Sequence, residues 1–217
     1  DIKLTKEELQ RFNKIYMVAC GTAYHACMVG KYVIEKLARI PTEVEIASEF
    51  RYRDPIVDEK TLTIIVSQSG ETLDTLAALK EAKKKGSRIL SIVNVVGSSI
   101  ARESHDVFYT WAGPEIAVAS TKAYSTQLIA LYIIALYMAK LRGTLKDEEI
   151  TAIKDEMEKL PELVEKALKC KSTIQKFATK NCNARDIFYL GRGIDYAVAL
   201  EGSLKLKEIS YIHSEAY

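Results

Sequence analysis

The sequence predicts an α/β protein: a three-layer α/β/α sandwich around a mainly parallel sheet, followed by the first strand and helix of a second copy. Three observations predict it. Short apolar, β-branched runs at 15–20, 62–66, 88–93 and 106–110 alternate with longer amphipathic stretches, the signature of β-α-β units with helices on both sheet faces. Two of these runs end in glycine-containing turns that open into helices, Cys20-Gly21-Thr22 and Ser67-Gln68-Ser69-Gly70-Glu71-Thr72. The strand, glycine turn and long helix of 15–39 recur at 186–212, which reads as an internal repeat.

In order along the chain, Thr5 precedes a short polar helix over 6–13. The strand 15–20 ends at Gly21-Thr22, and the helix that follows runs to Arg39 and is stopped by Pro41. Residues 43–47 alternate as a short strand, and 48–52 start a helical turn before Pro55. The strand 62–66 leads through the hydroxyl-rich turn into a helix over 72–85. Leu73, Leu76, Ala77 and Ala82 keep helical spacing there and are expected to face the sheet. Gly86 ends that helix. Strands at 88–93 and 106–110 flank a short helix at 100–103. Beyond the Gly113-Pro114 turn, Ser120 is expected to cap an apolar helix that ends near Gly143.

After Gly143 the chain becomes charged and helical without strands, with Pro161 as a break. The expected division is a first domain over 1–145, a helical linker over 146–183 packed on it, and the beginning of a second domain over 184–217. One strand and one helix cannot close a core of their own, so the tail is expected to pack on the first domain or on a partner chain, or to continue past Tyr217.

The totals exclude several classes. Net charge is +2, and the lysines are scattered apart from Lys83-Lys84-Lys85, so there is no electrostatic footprint for nucleic acid. The apolar run 128–139 falls well short of the ~20 residues that span a bilayer, and reads as a buried helix rather than a membrane anchor. The chain opens on Asp1-Ile2-Lys3 without a signal-peptide pattern or an initiator methionine, which suggests a fragment of something longer. Cys20, Cys27, Cys170 and Cys182 form no C-x-x-C pair, so a reducing, cytoplasmic setting is expected. His25, His105 and His213 show no metal spacing. No metal and no cofactor are expected, and structural or surface roles suit the histidines.

The chemistry concentrates at 67–72. A hydroxyl-rich turn at the start of a helix offers unpaired backbone N–H groups, a positive dipole end and hydroxyl donors, which together suit an anion, phosphate first. The turn has no lysine or arginine and does not match G-x-x-x-x-G-K. A small monophosphate held by neutral donors fits better than a polyphosphate. The bland alternative is an ordinary cap at Ser69 and an ordinary turn glycine at Gly70. Gly21-Thr22 and 118–122 also lie at strand C-ends or helix N-ends, where ligands of parallel sheets bind.

Five stretches occur in sequence that carry a family resemblance: Cys20-Gly21-Thr22, Glu45 to Tyr52, Ser67 to Thr72, Val118 to Lys122, and Leu200 to His213. Over nearly the whole chain they closely resemble the sugar-isomerase (SIS) moiety of the glucosamine-6-phosphate synthase family, the glutamine–fructose-6-phosphate aminotransferases. The resemblance implies two tandem SIS domains in a homodimer, with fructose-6-phosphate or glucosamine-6-phosphate bound and a glutaminase domain in the full-length protein supplying ammonia. By motif it implies that Ser67, Gln68, Ser69 and Thr72 hold the sugar phosphate with Thr22 nearby, and that Val118 and Ser120 line the other side of the sugar. Glu208 resembles the base that moves a proton between adjacent sugar carbons, and Lys205 a group associated with ring opening.

Two departures bear on these expectations. Ala23 stands where the family often has serine, and the family's ring-opening histidine and C-terminal lysine would lie beyond Tyr217. This stretch alone is therefore expected to bind sugar phosphate weakly and not to complete catalysis. Without the resemblance, Glu201, Lys205 and Glu208 read as a plain salt-bridged solvent face of one helix, the commoner case. Two other function classes share these motifs. A non-catalytic phosphosugar-sensing SIS module would be expected to carry an effector domain and would leave Glu208 idle. A stand-alone isomerase is disfavoured by the start of a second repeat.

Overall fold

A computed structural model describes residues 2–217. Its first unit contains α1 (Lys6–Arg11), β1 (Lys14–Ala19), α2 (Gly21–Leu37), β2 (Thr42–Ile46), α3 (Ala47–Phe50), β3 (Thr61–Ser67), α4 (Leu73–Lys84), β4 (Arg88–Val93), α5 (Ser99–Glu103), β5 (Asp106–Tyr109) and α6 (Lys122–Arg142). Then come α7 (Asp147–Glu158), α8 (Leu160–Leu168), α9 (Lys171–Lys180), β6 (Asp186–Tyr189), α10 (Ile194–Ser210) and β7 (His213–Ala216).

The five-stranded sheet has the order β2-β1-β3-β4-β5, and every neighbouring pair is parallel. Side chains along each strand alternate between two cores. Ile15, Met17, Leu62, Ile64, Leu90 and Ile92 face the layer that contains α2 and α6. Val18, Ile65, Ile89 and Val93 face the layer that contains α3, α4 and α5. Both faces are covered, so these strands read as unbroken apolar runs. The chain leaves β1 toward one layer and β3 toward the other. The crevice between the ends of β1 and β3 is therefore the topological switch point of the sheet.

Helix α2 lies close on the sheet at Gly30, where a Cβ would come within 2.9 Å of Met17 Cε and 3.1 Å of Leu131. Helix α6 is longer than the apolar run at its centre. It is long and apolar enough by length and composition to cross a membrane, with 44% of that window buried inside the fold. Its buried side chains include Ala130, Leu131, Ile134, Ala135 and Met138, which belong to the α2-side core. Gly143, left-handed at φ 69°, closes it.

Four local expectations are corrected. The buried stripe of α4 is Thr75, Ala78, Leu79 and Ala82, while Leu73 is 79% exposed. Two stripes with helical spacing coexist in that sequence, and Leu73 in the first turn sits on the outer one. Ser120 does not cap α6. The cap residue is Thr121, and the Glu115 carboxylate accepts from the backbone N–H groups of Thr121 and Ala123 at 3.2 and 3.0 Å. Those bonds hold the Glu115 pKa below the usual carboxylate value. Cys20 lies one residue past β1, as the N-cap of α2. The last helix ends at Ser210, where Tyr211 turns left-handed at φ 59°, and the chain re-enters as β7, parallel to β6. The tail is thus a β-α-β unit rather than a strand and a helix.

Between the two units, α7 buries Ile150, whereas α8 and α9 bury no side chain. Pro161 lies in the first turn of α8, just past the break between α7 and α8.

Candidate functional site

The turn after β3 is built from its own hydroxyls. Ser67 Oγ accepts from Gly70 N at 3.0 Å, and Ser69 Oγ accepts from Glu71 N at 3.2 Å. Each serine therefore spends a lone pair on the turn, and the Ser69 proton stays uncommitted. Thr72 Oγ1 lies 3.5 Å from Ser67 Oγ and makes no cap bond, so the first N–H groups of α4 carry no side-chain cap from it. The start of α5 braces the turn from outside: Gly70 O accepts from Ile100 N, and Glu71 Oε1 accepts from Ser99 N at 2.7 Å. The contacts with Ser99 lower the Glu71 pKa. Gly70 is left-handed at φ 67°, and a Cβ there would lie 2.1 Å from Ser98 Oγ. Only glycine fits that contact and that conformation.

A cleft of about 310 Å³ opens at the switch point. Thr22, Ser67, Gln68, Ser69 and Thr72 line it, with Cys20 and Thr75 beneath. Ser120 and Gln127 border it from the α6 side, and Glu208 from α10. Among the described residues no lysine or arginine lines it, and no group of three or more His, Cys, Asp or Glu is placed to hold a metal ion.

Glu208 reaches the cleft because α10 docks on α2. The seam is polar. Glu201, 5% exposed, accepts from Thr22 Oγ1 at 2.9 Å and meets His25 Nδ1 at 2.7 Å. Lys205 Nζ donates to Thr22 Oγ1 at 2.9 Å, lies 3.4 Å from Glu201 Oε1, and pairs with Glu208 Oε2 at 2.5 Å. The expected ion pairs form, but only the Glu208 end of this helix face is exposed, while Glu201 is buried in the seam. Burial and the nearby Glu201 charge push the phenol pKa of Tyr124 up to about 12.

Of the residues singled out in the sequence, Thr22, Ser67, Gln68, Ser69, Thr72, Ser120 and Glu208 meet at this one cleft, and Lys205 touches two of them. Val118 does not join them: it is 96% exposed on the loop before α6 and lies outside the cleft lining. Sequence reasoning passed over Gln127, gave His25 only a structural or surface role, and read Glu201 only as a member of a salt-bridged helix face. Nothing local marked Glu201 for burial against Thr22 and His25, and the one signal for Gln127 was a polar residue in an apolar helix.

A family model for the SIS domain matches residues 8–137 and 182–217. The chain belongs to the SIS domain family. It is 65% identical over 217 residues to the isomerizing glutamine–fructose-6-phosphate aminotransferase of Clostridium tetani, covering 100% of this chain and 36% of that protein. A namesake from Thermus thermophilus is 51% identical over 205 residues, 94% of this chain and 34% of the relative. This SIS chain thus spans about a third of the length of those relatives. Among solved structures it superposes on the C-terminal domain of glucosamine-fructose-6-phosphate aminotransferase from Francisella tularensis with a TM-score of 0.95 at 48% identity, covering 98% of this chain and 60% of that one. Glucosamine-6-phosphate deaminase from Thermotoga maritima aligns with a TM-score of 0.78 at 26% identity, over 97% of this chain and 63% of that one.

Proposed function

We propose that this chain is the sugar-phosphate-binding isomerase part of an enzyme that makes glucosamine-6-phosphate from fructose-6-phosphate and glutamine. The observation that carries this reading is the composition of one cleft. Neutral hydroxyl donors and an uncapped helix start lie at one side, and a carboxylate, Glu208, lies at the other. A monophosphate fits the first group, and aldose–ketose interconversion needs the second.

In this reading Ser67, Gln68, Ser69 and Thr72 hold the phosphate, with Thr22 beside it, and Ser120 and Val118 border the sugar. Val118 takes that place only if the loop before α6 moves. Glu208 removes a proton from one sugar carbon and returns it to the neighbouring carbon, so the isomerisation is neutral in atoms and charge. Lys205 holds Glu208 in an ion pair and serves ring opening. The tail from 184 onward is the start of a second SIS unit. The exposed Phe188 of its short sheet and Leu190 just beyond β6 support further packing there.

A glutaminase domain supplies ammonia in the full-length protein, which works as a homodimer in the cytoplasm. By itself this stretch binds sugar phosphate weakly and does not complete the isomerisation, because the resemblance assigns two more catalytic groups to sequence beyond it. Calorimetric titration of the chain with glucosamine-6-phosphate and with inorganic phosphate tests the reading. Saturable heat with both supports it, and no heat with either at millimolar ligand overturns it.

A further inference from the structure

We propose that residues 114–120, the loop before α6, form a strap that closes over a sugar phosphate bound in this cleft, with Ile116 and Val118 as its apolar cover. The inference rests on the sugar-phosphate reading of the same cleft. Both ends of the strap are fastened at the rim. At its start, Asn94 Oδ1 accepts from Ala112 N at 2.8 Å, and Asn94 Nδ2 donates to Gly113 O at 2.7 Å. The backbone N–H of the same Asn94 donates to Gln68 O at 3.1 Å, which ties this end to a residue of the cleft wall. At its other end Ser120 itself lines the cleft, and the helix that follows is held in the core by Ala130, Leu131 and Ile134. The strap therefore runs from the wall made by the turn at 67–72 to the wall made by α6.

Between the anchors, Glu115 folds back on the start of α6, its carboxylate accepting from Thr121 N and Ala123 N. Ile116 and Val118, on the same stretch, are 91% and 96% exposed. Single exposed aliphatic side chains are ordinary on a protein surface. Here two of them sit on one short segment slung between the walls of a polar cleft. The carbon–hydrogen faces of a sugar supply the surface that Ile116 and Val118 lack in the open fold. Closure also removes water from the hydroxyls of the turn and from Glu208, which strengthens their interactions with the ligand. Inorganic phosphate fills the turn alone and offers the strap no carbon to cover.

The test combines calorimetric titration with fructose-6-phosphate and inorganic phosphate and a tryptophan reporter on the strap. Trp111 is the single tryptophan of the chain, so Ile116→Trp in a Trp111→Phe background reports from the strap alone. As fructose-6-phosphate saturates, its emission is expected to shift to the blue and its quenching by acrylamide to fall. Val118→Ser is expected to bind fructose-6-phosphate about fivefold more weakly, the loss of one partly covered aliphatic side chain, and to bind inorganic phosphate as the wild type does. Circular dichroism confirms the fold of each variant. Should the reporter variant not fold or bind, protection of residues 114–120 from hydrogen exchange in the wild type replaces it. Saturable heat without a change at the strap, or a Val118→Ser effect that is absent or shared by both ligands, overturns the inference and leaves the reading of the cleft standing. Binding of inorganic phosphate alone also overturns the strap, and if the wild type binds neither ligand, both fall together.

Discussion

Thr22 gives its hydroxyl proton to Glu201 across 2.9 Å, joining residues 179 positions apart. That bond fixes the Thr22 hydroxyl as an acceptor toward Lys205, and so links the first glycine turn to the helix that carries Glu208. It also makes Glu201 the anchor of the seam between α2 and α10.

Replacing Glu201 should therefore unfasten α10. Glu201→Ala leaves Thr22, His25 and Lys205 without their shared acceptor and is expected to lower unfolding stability by roughly 3 kcal/mol, read by urea titration. Thr22→Val keeps the shape and removes the hydroxyl. It should cost about 1 kcal/mol and leave inorganic phosphate binding unchanged, since that proton was not free for phosphate. Loss of phosphate affinity in Thr22→Val would show that Thr22 turns toward the ligand instead.

Gly70→Ala combines a left-handed backbone with a Cβ driven into Ser98. Destabilisation of about 2 kcal/mol or more is expected, together with weaker phosphate binding because the turn must move. Ser98→Gly clears the steric contact but not the backbone strain, so the double variant should recover only part of the stability. Full recovery would assign the whole effect to the clash.

Ser69→Ala should act on binding rather than on folding. Ser69 Oγ accepts from Glu71 N and keeps its proton, so the variant is expected to lose about 1 kcal/mol of phosphate affinity, roughly fivefold. The melting temperature should shift little. An unchanged dissociation constant in calorimetry would remove Ser69 from the phosphate site.

His105 should make stability depend on pH. Its Nδ1 accepts from Ile89 N at 2.9 Å, a bond that a protonated ring cannot accept. Burial first, then Lys83 and Arg88, push its pKa down against the opposing pull of Asp106. A histidine depressed in the folded state stabilises fully above its unfolded value of about 6.5, and that contribution is lost as pH falls through the folded value. Wild type should therefore lose more stability than His105→Gln between about pH 7 and pH 5. Parallel stability–pH curves would refute the role of the Ile89 bond.

The α/β alternation, the parallel sheet and the hydroxyl-rich turn were legible in the sequence because each is written in local patterning: apolar runs, glycines at strand ends and hydroxyls at a helix start. Patterning misled where two local solutions competed. Leu73 and Leu79 both fit helical stripes, and only the sheet beneath α4 chose Leu79. Ser120 had the chemistry of a cap, yet Glu115 took the position from within the preceding loop. The short strand His213–Ala216 has little strand signature of its own and forms by pairing with β6.

The sequence by itself determined that strand, turn and helix follow one another and that hydroxyls gather at residues 67–72. Those features depend on neighbours a few residues away. Only the tertiary structure decided that Glu201 is buried, that Thr22 and His25 attend it, that Gln127 is buried with an unpaired side-chain oxygen, and that Val118 stays in solvent. Burial and partnership of a polar side chain depend on what the packed helices bring against it. For Glu201 the partners Thr22 and His25 lie 179 and 176 positions away, so no local pattern records them.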